Sequence, residues 1–237
     1  MKAPVRKVPQ YVGSLSPHEV AAGINAARLN AKRLAEDARA LLDGRRFPSA
    51  LALAILSIEE TGKASILRSI GLASTEAELK KAWREYRSHK SKNALWAAFD
   101  AVEKGARKLD DFAPIFDPSS DHPQVLDELK QLALYTECVR ADKWSEPVTV
   151  VDEDLAKSIV AIAAAFVTER ITSPEELEIY FRHIGPVRNG NPAWIKQAFI
   201  KAYAEMQERG IRPPGTNEAE DLVNGRIGVR NSTTSKN

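Results

Sequence analysis

The sequence predicts an all-α protein, an antiparallel helical bundle with additional C-terminal helices and a flexible tail. Three observations predict it. Complete helix-start codes recur along the chain, apolar residues after the first of them keep helical spacing, and most segments are joined by short connections, which favour antiparallel neighbours.

Each element follows from its local chemistry. Ser16-Pro17-His18-Glu19 places a capping serine, a proline at the first helical position and a glutamate three residues on. The stripe Ala21, Ile24, Ala27, Ala31, Leu34, Ala35, Ala38, Leu41, Leu42 then runs to a stop at Gly44. After a turn over 44–48, residues 50–56 are apolar on every side, so a helix there has no face left for water and is expected to lie centrally. Thr75-Glu76-Ala77-Glu78 is a second capping box, opening a long segment through Leu79, Trp83, Tyr86, Ala94, Ala97 and Ala101 to the neighbourhood of Gly105. Turn chemistry at 117–121 precedes a helix expected over 123–139. An extended stretch over 148–151 leads to Asp152, the cap of a helix over 155–170, and Ser173-Pro174-Glu175-Glu176 repeats the start code. Asn191-Pro192 opens the last clear helix, ending near Arg209. From Arg212-Pro213-Pro214-Gly215 onward apolar residues are sparse. The expected organisation is an N-terminal arm over 1–15, a bundle over 16–144, a helical extension over 145–209 and a disordered tail over 210–237.

Composition removes several classes of function. Thirty-four Lys and Arg against 32 Asp and Glu leave a net charge of +2, too balanced for a protein coated with one sign of charge, so any nucleic-acid site must be local. One cysteine, Cys138, and four histidines give no zinc ligand set, and neither a phosphate-binding glycine loop, an HExxH, a CxxC nor paired Glu-x-x-His occurs. No metal and no cofactor is expected. The positively charged start lacks a following apolar run, and no stretch reaches the roughly 18 apolar residues of a membrane span. A cytoplasmic protein with no membrane association is the expectation.

Two places break the helical pattern. Glu59, Glu60 and Lys63 interrupt the most apolar helix, and a buried carboxylate must be paired or hydrogen-bonded. Lys63 lies within helical reach of both acids. Lys90, on a continued third helix, falls about 20° from the Leu79 direction and would serve as a second partner. The other place is WREYRSHKSK, in which Arg84 precedes His89 by five residues among Arg87, Lys90 and Lys92. A histidine moves protons near neutral pH and an arginine fork suits phosphodiester oxygens, so the pair suits metal-free cleavage of RNA by its own 2′-hydroxyl. The other histidines, His18, His122 and His183, fit surface or capping roles, and Trp83, Trp96, Trp144 and Trp194 fit packing.

These segments, in their order, resemble the AbiV family of bacterial abortive infection proteins, relatives of the all-helical HEPN superfamily. The resemblance rests on LAEDARALL with Asp37, SALALAILSIEETGK over 49–63, YRSHKSK with His89, Lys90 and Lys92, and LALYTE followed by WSEP, with Tyr135, Trp144 and Pro147. It implies a HEPN-like bundle that stops growth or translation in a phage-infected cell. It further implies a homodimer in which each chain brings an Arg-x4-6-His motif to a shared cleft. Arg84 and His89 match that spacing, while Glu85 stands where active members commonly carry a neutral polar residue, which makes Arg87 the alternative arginine. On this reading Arg84 or Arg87 and His89 are catalytic, and Lys90 and Lys92 bind RNA. Asp37, Glu59, Glu60, Lys63, Lys90 and Tyr135 form a buried polar network. The alternative is a non-catalytic helical module that captures a phage protein or a translation component.

Overall fold

A computed structural model describes residues 10–88, 122–141 and 143–226. Helix α1, Pro17–Asp43, starts as its sequence requires: the Ser16 hydroxyl accepts from Glu19 N–H at 3.3 Å, and Glu19 Oε2 accepts from Ser16 N–H at 2.7 Å. Its stripe is buried from Val20 to Leu42. Gly44 closes it by donating to the Ala40 carbonyl, but the left-handed residue of the turn is Arg45, at φ 58°.

Helix α2, Phe47–Leu72, begins earlier than the apolar run and takes Pro48 into its first turn. It runs antiparallel to α1: Leu67 lies against Gly23, and Ser57 donates to the Ala31 carbonyl at 2.7 Å. That bond ties Ser57 to the α1 backbone inside the core. Helix α3, Glu76–Arg87, is capped by Thr75, whose hydroxyl accepts from Glu78 N–H. The long third helix ends, within the described residues, at Arg87, because Ser88 is extended (φ −81°, ψ 129°). His89, Lys90, Lys92, Trp96 and the rest of 89–121 lie outside the described residues.

Helix α4, His122–Leu134, is shorter than expected. Residues expected to continue it form strand β1, Glu137–Arg140, paired antiparallel with β2, Lys143–Ser145, with Cys138 opposite Trp144. The stretch expected to be extended at 148–151 contains instead a single helical turn, α5, Pro147–Val150, since Pro147 fits a first helical position. Helices α6, Glu153–Phe166, α7, Pro174–Ile184, and α8, Pro192–Glu208, follow their predicted caps Asp152, Ser173 and Asn191. The expected tail contains a further helix, α9, Glu218–Asn224, capped by Asn217 and ended by Gly225 in the left-handed conformation. Ala219 buries there, and the Asn217 side chain also donates to the Ile200 carbonyl of α8, contacts that a composition argument does not register.

The fold is all-α among the described residues apart from that small hairpin. One core joins the end of α1, the first half of α2, α4 and α6, and a second joins the start of α1, the second half of α2, α3 and α7. Helix α6, assigned from sequence to the extension, is therefore part of the bundle core, with Ile159, Val160 and Ala163 against α2. Asn25 and Arg28 of α1 fasten the entry to α7: Asn25 exchanges two hydrogen bonds with the Thr172 backbone, each 2.9 Å.

Glu78 joins α3 to the loop after α7. Its carboxylate accepts from Ser74 N–H at 2.8 Å, from Arg188 at 2.9 Å and from Asn189 at 3.1 Å. These bonds, the Ser74 backbone first, pull its pKa from 4.5 down to about 2. A depressed carboxylate stabilises the fold above its unfolded value and loses that effect as pH falls through the folded one. Glu78→Gln should therefore lower the melting temperature at neutral pH, and its difference from wild type should shrink as pH is taken from 4.5 towards about 2.

Candidate functional site

Glu59 faces inward from α2 and its side chain is 4% exposed. Its partner is Lys130 of α4, 2.6 Å away and 5% exposed, which also reaches Asp127 at 2.9 Å. Burial alone pushes the Lys130 ammonium down, but its bonds to Glu59 and Asp127 outweigh that and hold its pKa above the ordinary lysine value. Glu59 and Lys130 are thus both withdrawn from water and fix how α4 sits on α2. Glu60 and Lys63 pair separately at 2.5 Å, as helical spacing predicts, with the Lys63 ammonium 5.4 Å from the centre of the Tyr86 ring on α3.

The inward position of Lys130 is legible in the helical spacing, although its partner is not. On α4 it lies about 40° from Leu126 and between the core residues Leu126 and Ala133, where a lysine must find an acid. The resemblance placed two further residues in the buried network, and the structure places them outside it. Asp37 is on the exposed side of α1, 50% accessible and paired with Arg33 at 2.9 Å, because it falls off the buried stripe. Tyr135 is 55% exposed just beyond the last residue of α4. Among the tryptophans, Trp83 packs in the core, while Trp144 and Trp194 are exposed, one on a hairpin edge and one in the first turn of α8. His183 bonds Glu205 of α8 at 2.8 Å, consistent with its place in the last turn of α7.

The two candidate arginines on α3 have different surroundings. Arg87 donates to the Tyr11 carbonyl at 2.6 Å and lies 5.2 Å from the centre of the Trp83 ring. Trp83 Nε1 donates to the Gly13 carbonyl at 2.9 Å, so these side chains hold the segment before α1 against α3. Arg87 is engaged in that contact, which argues against it as the arginine that meets a phosphate. Arg84 is exposed and its guanidinium has no hydrogen bond or ion pair among the described residues. It borders a shallow depression with Val12, Lys80 and Trp83. Neighbouring Glu85 stands 4.0 Å from Lys81, which offsets part of its charge. Among the described residues no group of three His, Cys, Asp or Glu is placed to hold a metal, and no helix is long and apolar enough to cross a membrane.

A helical bundle stapled through its central helix by the buried Glu59–Lys130 pair, as seen among the described residues, fits a HEPN-like helical family. A family model, HEPN_AbiV, described as AbiV, matches residues 19–168, and the chain belongs to the AbiV family. The match extends through α6, in agreement with the core that α6 shares with α2. No curated protein and no solved structure matches the chain.

Two outcomes follow from this geometry. Lys130→Met, which removes the ammonium 2.6 Å from the buried Glu59 carboxylate, should destabilise by about 3–5 kcal/mol in chemical denaturation, and Glu59→Met with Lys130→Met should cost less than the single change. Arg87→Ala should cost about 1 kcal/mol through loss of the Tyr11 and Trp83 contacts, whereas Arg84→Ala should stay within about 0.5 kcal/mol of wild type.

Proposed function

We propose that this protein acts in abortive infection by cleaving RNA without a metal, arresting growth or translation of the phage-infected cell. The observation that carries the reading is the family match across Arg84 and His89, with the Arg84 guanidinium exposed and uncommitted at the end of α3 among the described residues. In this reading Arg84 holds the non-bridging oxygens of the scissile phosphate and stabilises charge as the phosphorane forms. His89 transfers the proton between the 2′-hydroxyl and the leaving 5′-oxygen, and Lys90 and Lys92 bind the flanking backbone. Two copies of the chain supply two such arginine–histidine sets to one cleft, and the protein works in the cytoplasm, where the RNA is.

A second reading has an observation of its own. Arg87 is committed to Tyr11 and Trp83, and Glu85 sits beside Arg84, so the basic surface available on α3 is small. A bundle of this kind that captures a phage protein or a translation component without cutting RNA would also stop growth.

Incubation of the purified protein with total RNA in EDTA separates the two. The enzyme reading expects cleavage that His89→Ala abolishes and Arg84→Ala reduces by a factor of about 100 or more, with melting temperatures unchanged. Toxicity in cells should be lost with the same substitutions. If His89→Ala remains folded and fully toxic, the binding-module reading holds.

A further inference from the structure

On the far side of α2 from its packing with α4, the C-terminal helices close a cleft of about 420 Å³ against the Arg68 end of α2. Apart from Arg68, every residue that lines it follows residue 168, where the family match ends. Its walls carry both apolar surface, from Phe199, Met206 and Leu222, and charge, from Arg68 and Arg212.

The positive charge in and behind this cleft exceeds what the nearby acids absorb. Burial first, and then the charge of neighbouring arginines, lowers the proton affinity of Arg28, Arg68 and Arg212. Glu176, which is buried, binds Arg170 with one oxygen and meets Arg212 at 3.4 Å with the other. Arg28 donates to the Arg170 carbonyl and the Thr172 hydroxyl at 2.7 and 2.8 Å. The remaining acid of the lining, Glu218, is held by the Tyr203 hydroxyl. That leaves Arg68. Among the described residues its guanidinium has one hydrogen bond, at 3.4 Å to the Ala64 carbonyl of its own helix, and lies 5.9 Å from the Tyr180 ring centre. No carboxylate among the described residues is within ion-pairing distance of it. Arg212 adds a buried Nε with no hydrogen-bond partner.

A guanidinium partly withdrawn from water without a carboxylate is unfavourable in the empty protein and becomes favourable when an anion arrives. Because the fold has already partly desolvated and oriented these arginines, less of that cost falls on binding. The cleft volume lies within the range of about 300–1,000 Å³ common to small-molecule sites. We propose that this cleft binds a small organic anion, a carboxylate or phosphate monoester with an apolar body. Arg68 and Arg212 hold the anionic group, and Phe199, Met206 and Leu222 cover the body. Glu218 restricts the site to ligands whose charge stays at the arginine end. This goes beyond the RNA-cleavage reading, and neither depends on the other.

Calorimetric titration of the full chain with benzoate and phenyl phosphate tests it, with benzamide and inorganic phosphate alongside. Binding of benzoate or phenyl phosphate, but not of benzamide, is expected, and which of the two binds more tightly separates a carboxylate from a phosphate ligand. Arg68→Gln should weaken that binding by about tenfold or more while leaving the melting temperature of the unliganded protein unchanged or raised. The proposal fails if neither anion binds, if benzamide binds as well, if Arg68→Gln binds as wild type does, or if inorganic phosphate binds as tightly as phenyl phosphate. Should Arg68→Gln not fold, Leu222→Glu carries the test: it is expected to weaken binding by the same factor, and unchanged binding overturns the site.

Discussion

Helix α2 is apolar around most of its circumference, and a helix of that kind is stable only when neighbours cover it on every side. The rest of the bundle is arranged to do so. Helix α1 lies along its whole length, α4 and α6 cover its first half, and α3 and α7 cover its second. The same burial explains the ion pairs. Glu59 lies where water is excluded, so its charge needs a partner, and Lys130 supplies one from α4 at 2.6 Å. A hydrophobic contact would tolerate sliding of α4 along α2, whereas a buried ion pair has one register. Glu60, Lys63 and Tyr86 give α3 a weaker, more exposed version of the same constraint.

Position along α3 then decides what each arginine can do. Residues 83, 86 and 87 face the second core or the segment before α1, and Arg87 is drawn into that packing by the Trp83 ring and the Tyr11 carbonyl. Arg84 lies about 60° round the helix from Arg87, on the rim of the depression that Trp83 and Arg87 also line, and is open to solvent. Residues so close in sequence therefore have separate roles, one holding the N-terminal segment and the other available to a ligand.

The C-terminal helices are fastened to the bundle by polar contacts as much as by apolar ones. Asn25 and Arg28 grip the chain before α7, Glu78 grips the loop after it, and Glu205 of α8 gathers Arg182, His183 and Arg209. Bringing these elements together concentrates arginines around Glu176, far apart in sequence and adjacent in space.

By itself the sequence determined the helical class, the caps at Ser16, Thr75, Asp152, Ser173 and Asn191, the buried stripe of α1, the central place of α2, the Glu60–Lys63 pair and the family. All but the last are local matters, settled by hydrogen bonds and periodicity within one or two turns. The family was legible because several motifs occur in a fixed order. Only the tertiary structure decided that Lys130 serves Glu59, that Asp37 and Tyr135 stay in water, that α6 belongs to the core and that residues 218–224 form a helix. Each depends on which faces meet across long stretches of chain. A partner supplied from 71 residues away leaves no periodic signal near Glu59, and a short helix that buries Ala219 against a neighbour is not encoded in its own composition.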